Sequence, residues 1–143
     1  MSVGEGNVGK NGTVPLWLAS SNRLWGAGAS VCLSLSCQRR TGAVVHSGCA
    51  YSKDRVRIEG DNKIYERDAD SGFKIRFHFC PNCGSNVFWE GDKDPNIYGI
   101  TVGSFADPNF PPPTFSVWEE MMHPWLGVAS VAEHYAQGWP LTR

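Results

Sequence analysis

Along "FKIRFHF", residues 73–79, apolar and polar side chains alternate without a break. A period of two puts Phe73, Ile75, Phe77 and Phe79 on one face of a strand and Lys74, Arg76 and His78 on the other. "RVRIEG" (55–60), "KIYERD" (63–68), "SNVFWEG" (85–91) and "NIYGITVGS" (96–104) extend the pattern, with Gly, Pro and Asp-Asn as punctuation. Residues 31–127 therefore read as one mainly β domain of short strands and turns. "DPNFPPPTF" (107–115) breaks the pattern, because successive prolines withdraw the donors that a central strand or a helix needs. It reads as a rigid extended connection whose Phe110 and Phe115 pack inward.

The two ends read differently. Residues 1–30 hold many Gly, Ser and Asn and lack a sustained period, which predicts a loosely ordered arm. The tail, residues 128–143, is predicted to carry a short helix within "GVASVAEHYAQGWP". Ser130 would cap it, Glu133 falls three residues later, and Gly138 with Pro140 would end it.

With 143 residues the chain suits one ordinary domain, and 41% hydrophobic content with six Trp and seven Phe argues for a packed core. The formal charge of −1 provides no field for nucleic acid or an anionic membrane. No apolar run approaches the roughly 20 residues a bilayer span requires. Pro15 and Arg23 interrupt the apolar stretch near the N-terminus, which argues against an export signal and for a cytoplasmic protein.

Five cysteines fit a closed disulfide framework poorly and suit metal ligands in a reducing compartment. Cys49 stands alone and reads as a small buried hydrophobe. "CPNCG" sets Cys80 and Cys83 at the spacing of a zinc knuckle, with Gly84 free to take a positive φ. A redox pair would open a helix, whereas this motif lies between two strands. A knuckle supplies half of a tetrahedral shell. Cys32 and Cys37 are the natural candidates for the two missing ligands, with His46, His78, His123 and His134 as possible substitutes. Arg39 and Arg40 follow Cys37; guanidinium groups there lower a thiol's pKa or hold a carboxylate through paired hydrogen bonds.

Taken in order and spacing, "CQRRTG", "SGFKIRFHFCPNCGSNVFW", "VGSFADP" and "HPWL" resemble the glutathione-dependent formaldehyde-activating family, which includes centromere protein V. The resemblance implies a zinc-binding "β-tent" fold. It also implies addition of glutathione's thiol to formaldehyde, a carbon–sulfur lyase type of chemistry. Members carry a structural zinc site, using an early C-x-C with the later C-P-x-C-G, and an activity-linked C-x-C-x-x-C cluster. Here Cys80 and Cys83 match the late pair, and Cys32 and Cys37 match the outer thiols of the activity cluster. Ser34 replaces its middle thiol, Ala106 replaces a frequent acidic residue, and residues 1–30 contain no cysteine.

By resemblance, Cys32 and Cys37 are thus the catalytic candidates, and both pairs are candidate zinc ligands. Arg39 and Arg40 are the candidate binders of glutathione or a similar thiol. A serine hydroxyl stays protonated near neutral pH and is a poor zinc ligand, so fewer than two zinc ions per chain are expected. Two functions follow: an enzyme acting on glutathione with formaldehyde or a related small electrophile, or a catalytically decayed zinc-binding scaffold or interaction module.

Overall fold

The computed structural model describes residues 17–18, 29–58 and 60–139. Most of the arm predicted over residues 1–30 therefore lies outside the described residues. Among the described residues, ten strands and one α-helix follow in chain order. They are β1 (Trp17–Leu18), β2 (Ala29–Cys32), α1 (Leu35–Thr41), β3 (His46–Ser52), β4 (Val56–Arg57), β5 (Lys63–Asp68), β6 (Lys74–Phe79), β7 (Asn86–Gly91), β8 (Asp94–Thr101), β9 (Pro113–Val117) and β10 (Glu133–His134). The mainly β expectation holds.

Eight strands form one sheet in the order β10-β9-β2-β3-β8-β7-β6-β5, while β1 pairs with β4 separately. From β2 to β5 the pairing is antiparallel; β9 runs parallel to both β2 and β10. The predicted alternating segments supply β5 to β8, joined by tight turns that suit antiparallel neighbours. A buried cluster of Ala29, Cys49, Tyr51, Val87, Phe88 and Ile100 forms the core, with Phe105 and Phe110 packed at its margin. Cys49 is fully buried, as its apolar reading requires.

A glycine lane shapes the middle of the sheet. Trp89 of β7 pairs with Gly99 of β8, and its indole lies across Gly99 and Gly48 of β3. A methyl group at either glycine would come within 2.2 Å of the ring. The indole edge then meets the buried imidazole of His46, 5.3 Å between ring centroids.

Three expectations change. Residues 35–41 form α1 although the apolar pattern points to strands and turns there. The helix has seven residues, too few to display a 3.6-residue period, and is held by its caps. Next, the proline segment does enter the sheet interior: β9 begins at Pro113, between β10 and β2. A proline is tolerated as a strand's first residue, and only one of the three lies inside.

The third change is at the tail, where Glu133–His134 is a strand instead of the short helix. Ala132 and Tyr135 donate their backbone N–H groups to Thr114 and Ser116 carbonyls, at 2.9 and 3.0 Å. Trp139 packs on Phe115 with centroids 4.3 Å apart. A helix of about two turns is marginal by itself, so pairing with β9 prevails.

Candidate functional site

Three chemistry-bearing side chains converge where β2 runs into α1. The Cys32 thiol lies 3.3 Å from the Cys37 sulfur and 3.6 Å from Ser34 Oγ. Ser34, which replaces the middle thiol, is buried and caps α1, its Oγ accepting from the Cys37 N–H at 3.2 Å. At the other end Gly42 takes φ 69°, and its N–H returns to the Gln38 carbonyl. A left-handed closing residue of this kind favours glycine.

"CQRRTG" is thereby explained residue by residue. Thr41 Oγ1 donates to the Cys37 carbonyl at 2.8 Å. Gln38 Nε2 donates to the carbonyls of Leu33 (2.9 Å) and Met121 (3.2 Å), and its Oε1 accepts from His123 Nε2 (2.8 Å). Those contacts clamp the helix to the "HPWL" loop. Arg39 faces solvent, whereas Arg40 folds inward, its guanidinium carbon 4.0 Å from the Phe77 ring centroid.

The thiol pair is electrically asymmetric. Hydrogen bonding from Cys32 first, then from Ser34, with the Arg40 charge nearby, pulls Cys37 from an ordinary 9.0 down to about 6. Cys32 moves the opposite way, because it hydrogen-bonds to the Cys37 thiolate and is desolvated. The asymmetry favours Cys37 over Cys32 as the thiolate of the pair. Burial, and then the Arg40 charge, push His46 down from 6.5 to about 4, which leaves its imidazole neutral. His46 stands directly across from Cys32 in the β2–β3 register.

Arg40 also borders a cavity of about 640 Å³ lined by Arg39, Arg67, Tyr65, Phe77 and Phe79 among others. Arg67 and Tyr65 were not among the residues singled out from the sequence. Their signal was the alternation of "KIYERD", which puts positions 65 and 67 on one face of β5. Pairing with β6 sets Tyr65 opposite Phe77 and brings that face over the aromatic floor.

"CPNCG" forms the expected tight turn, closed by a Gly84 N–H to Cys80 carbonyl bond of 2.8 Å with Gly84 at φ 74°. Its two thiols have different surroundings. Cys80 is buried within the Cys49, Val87 and Phe88 cluster, while Cys83 is exposed with its sulfur 3.1 Å from Ser85 Oγ. Hydrogen bonding to Ser85 first, and also to Cys80, holds the Cys83 thiol below its ordinary range.

The remaining histidines are occupied. His78, stacked on Phe88, lies between Asn62 Oδ1 (2.8 Å) and Glu90 Oε1 (3.2 Å), and Glu90 also pairs with Lys53. His134 Nδ1 donates to Glu119 Oε1 at 2.6 Å.

Two thiols at each place do not make a zinc site alone. Among the described residues, no group of three or more His, Cys, Asp or Glu side chains is arranged to hold a metal ion. Structural zinc takes four protein ligands and catalytic zinc three, so neither pair fits a resident ion without further ligands. Nor do the four cysteines merge into one shell. Among the described residues, no helix is long and apolar enough to cross a membrane.

The model of a family described as "Glutathione-dependent formaldehyde-activating enzyme" matches residues 20–121, which span α1, the cavity and both cysteine pairs. No curated protein matches the chain.

Proposed function

The chain belongs to the glutathione-dependent formaldehyde-activating family, and from that premise we propose that it joins a carboxylate-bearing thiol, glutathione or a close relative, to formaldehyde or a similar small aldehyde. The observation that carries this reading is the position of Arg40, which lines the cavity and stands beside the Cys37 thiolate. Arg39 and Arg40 hold the substrate's carboxylate, and the substrate thiol is brought toward Cys37. Cys37 takes the thiol proton as the substrate sulfur forms a bond to the carbonyl carbon. The C=O π pair moves to oxygen, which receives the proton back from Cys37. The product is an S-hydroxymethyl thioether; atoms and charge balance without an oxidant.

This step uses groups of the chain and substrate alone. Zinc, which the family resemblance implies, would find only two-thiolate pairs here and would be held with weak affinity. The test is the rate of S-hydroxymethyl formation from glutathione and isotopically labelled formaldehyde, with the uncatalysed rate subtracted. We expect a net rate in the native chain that Cys37→Ser abolishes. A native chain no faster than buffer overturns the catalytic reading.

A second reading is favoured by Ser34, whose hydroxyl is committed to capping α1 where a thiol would complete the cluster. Under it the chain is a non-catalytic scaffold or interaction module that retains the family fold. Absence of a net rate alongside an intact fold is its expected outcome.

A further inference from the structure

Two guanidinium groups converge on one aromatic ring at the cavity floor. Arg40 lies 4.0 Å and Arg67 5.5 Å from the Phe77 centroid. Three nitrogens of this pair, Arg40 Nε, Arg40 Nη2 and Arg67 Nε, are buried without a hydrogen-bond partner. Arg39 adds a third positive charge at the rim. The protein neutralises the pair only in part: the Cys37 sulfur faces Arg40 from α1, and Arg67 has weaker partners. Arg67 Nη1 donates to the Asp68 carbonyl at 2.8 Å and lies 4.0 Å from Asp70 Oδ1, which itself accepts from Ser36 Oγ at 3.1 Å. Glu66 and Asp68 project from the other face of β5, where Glu66 pairs with Arg76 and Asp68 with Lys74.

Cations gathered on the buried Phe77 ring repel one another, and partnerless N–H groups there cost free energy. The π face of Phe77 offsets part of that cost. An anion between the two forks would relieve both terms, and the paired N–H geometry of guanidinium matches a carboxylate.

We propose that Arg67 and Arg40 form a two-guanidinium carboxylate site over Phe77, with Tyr65 and Phe79 covering the aliphatic part of the ligand. Arg67, from an edge hairpin outside the "CQRRTG" motif, is thereby a specificity residue for the substrate. The inference rests on the reading of the ligand as a carboxylate-bearing thiol, and needs no reaction at the sulfur.

The experiment titrates the full chain calorimetrically with S-methylglutathione, which has both carboxylates and no free thiol, and with its dimethyl ester. Binding of the acid that weakens with salt, and loss of binding by the ester, are expected. Arg67→Gln should weaken binding about tenfold or more, the worth of a charge-assisted pair, and Arg67→Lys should fall between. Thermal unfolding of unliganded Arg67→Gln should match or exceed that of the native chain, since a like charge is removed. The proposal is overturned if the acid fails to bind, if the ester binds equally well, or if Arg67→Gln binds like the native chain. Binding through Arg67 without net formaldehyde turnover would uphold this site and sink the catalytic reading; turnover with Arg67-independent binding would do the reverse.

Discussion

Trp89 occupies the space that a side chain at Gly99 would fill: a Cβ there would lie 1.9 Å from the indole. Close approach of ring to backbone lets the indole cross two strands and support His46 at the edge of the thiol cluster.

Gly99→Ala should therefore overpack the sheet and cost about 1–3 kcal/mol. Adding Trp89→Leu should recover part of the loss, since the smaller side chain vacates the lane. Denaturant midpoints of the two single variants and the double variant check this. Strictly additive losses would show that the two positions do not compete for the same space.

The thiolate on Cys37 should titrate with a midpoint near 6, followed by thiolate ultraviolet absorbance, and this component should vanish in Cys37→Ser. Arg40→Met removes a positive charge that favours the anion, so the midpoint should rise toward the ordinary 9.0. An unchanged midpoint in Arg40→Met would separate the guanidinium from the sulfur's chemistry.

His46 makes stability pH-dependent in a defined window. Its folded-state pKa, about 4, lies below the ordinary 6.5, so the unfolded chain binds the proton more readily. Its contribution is complete above 6.5 and is lost as pH falls toward 4, to a total of roughly 3 kcal/mol. Denaturant unfolding across that window should show a positive slope with pH that is shallower in His46→Gln. Equal slopes would contradict a neutral, desolvated imidazole.

Ser34 separates capping from coordination. Ser34→Ala should cost about 1 kcal/mol through the lost cap. Ser34→Cys should instead raise zinc content per chain above that of the native protein, by giving Cys32 and Cys37 a third sulfur. Denaturant unfolding checks the first, and metal analysis after purification in reducing buffer checks the second. Equal zinc in Ser34→Cys and the native chain would disconnect this position from metal binding.

Much of the fold was readable because its strands alternate. β5 to β8 follow the two-residue period of their side chains, and Gly84 marks its turn by the φ only glycine adopts cheaply. α1 escaped because its stability lies in Ser34, Thr41 and Gly42, not in a periodic apolar face. The tail misled for the opposite reason: "SVAEHYAQ" has local helical features, but β9 offers hydrogen bonds that no local rule counts. Within the site, "CQRRTG" advertised Cys37 and Arg40. Arg67 gave no such notice, since its role comes from the register that carries β5 alongside β6.

Gln38 has a consequence for how the chain matures. Its amide joins α1 to Met121 and His123, more than eighty residues further along. During synthesis Cys32 and Cys37 emerge long before that fastening exists. Until the later segment arrives, the two thiols lack their final setting and stay open to stray oxidation. Clipping the finished protein just ahead of Met121 should return them to that unguarded condition.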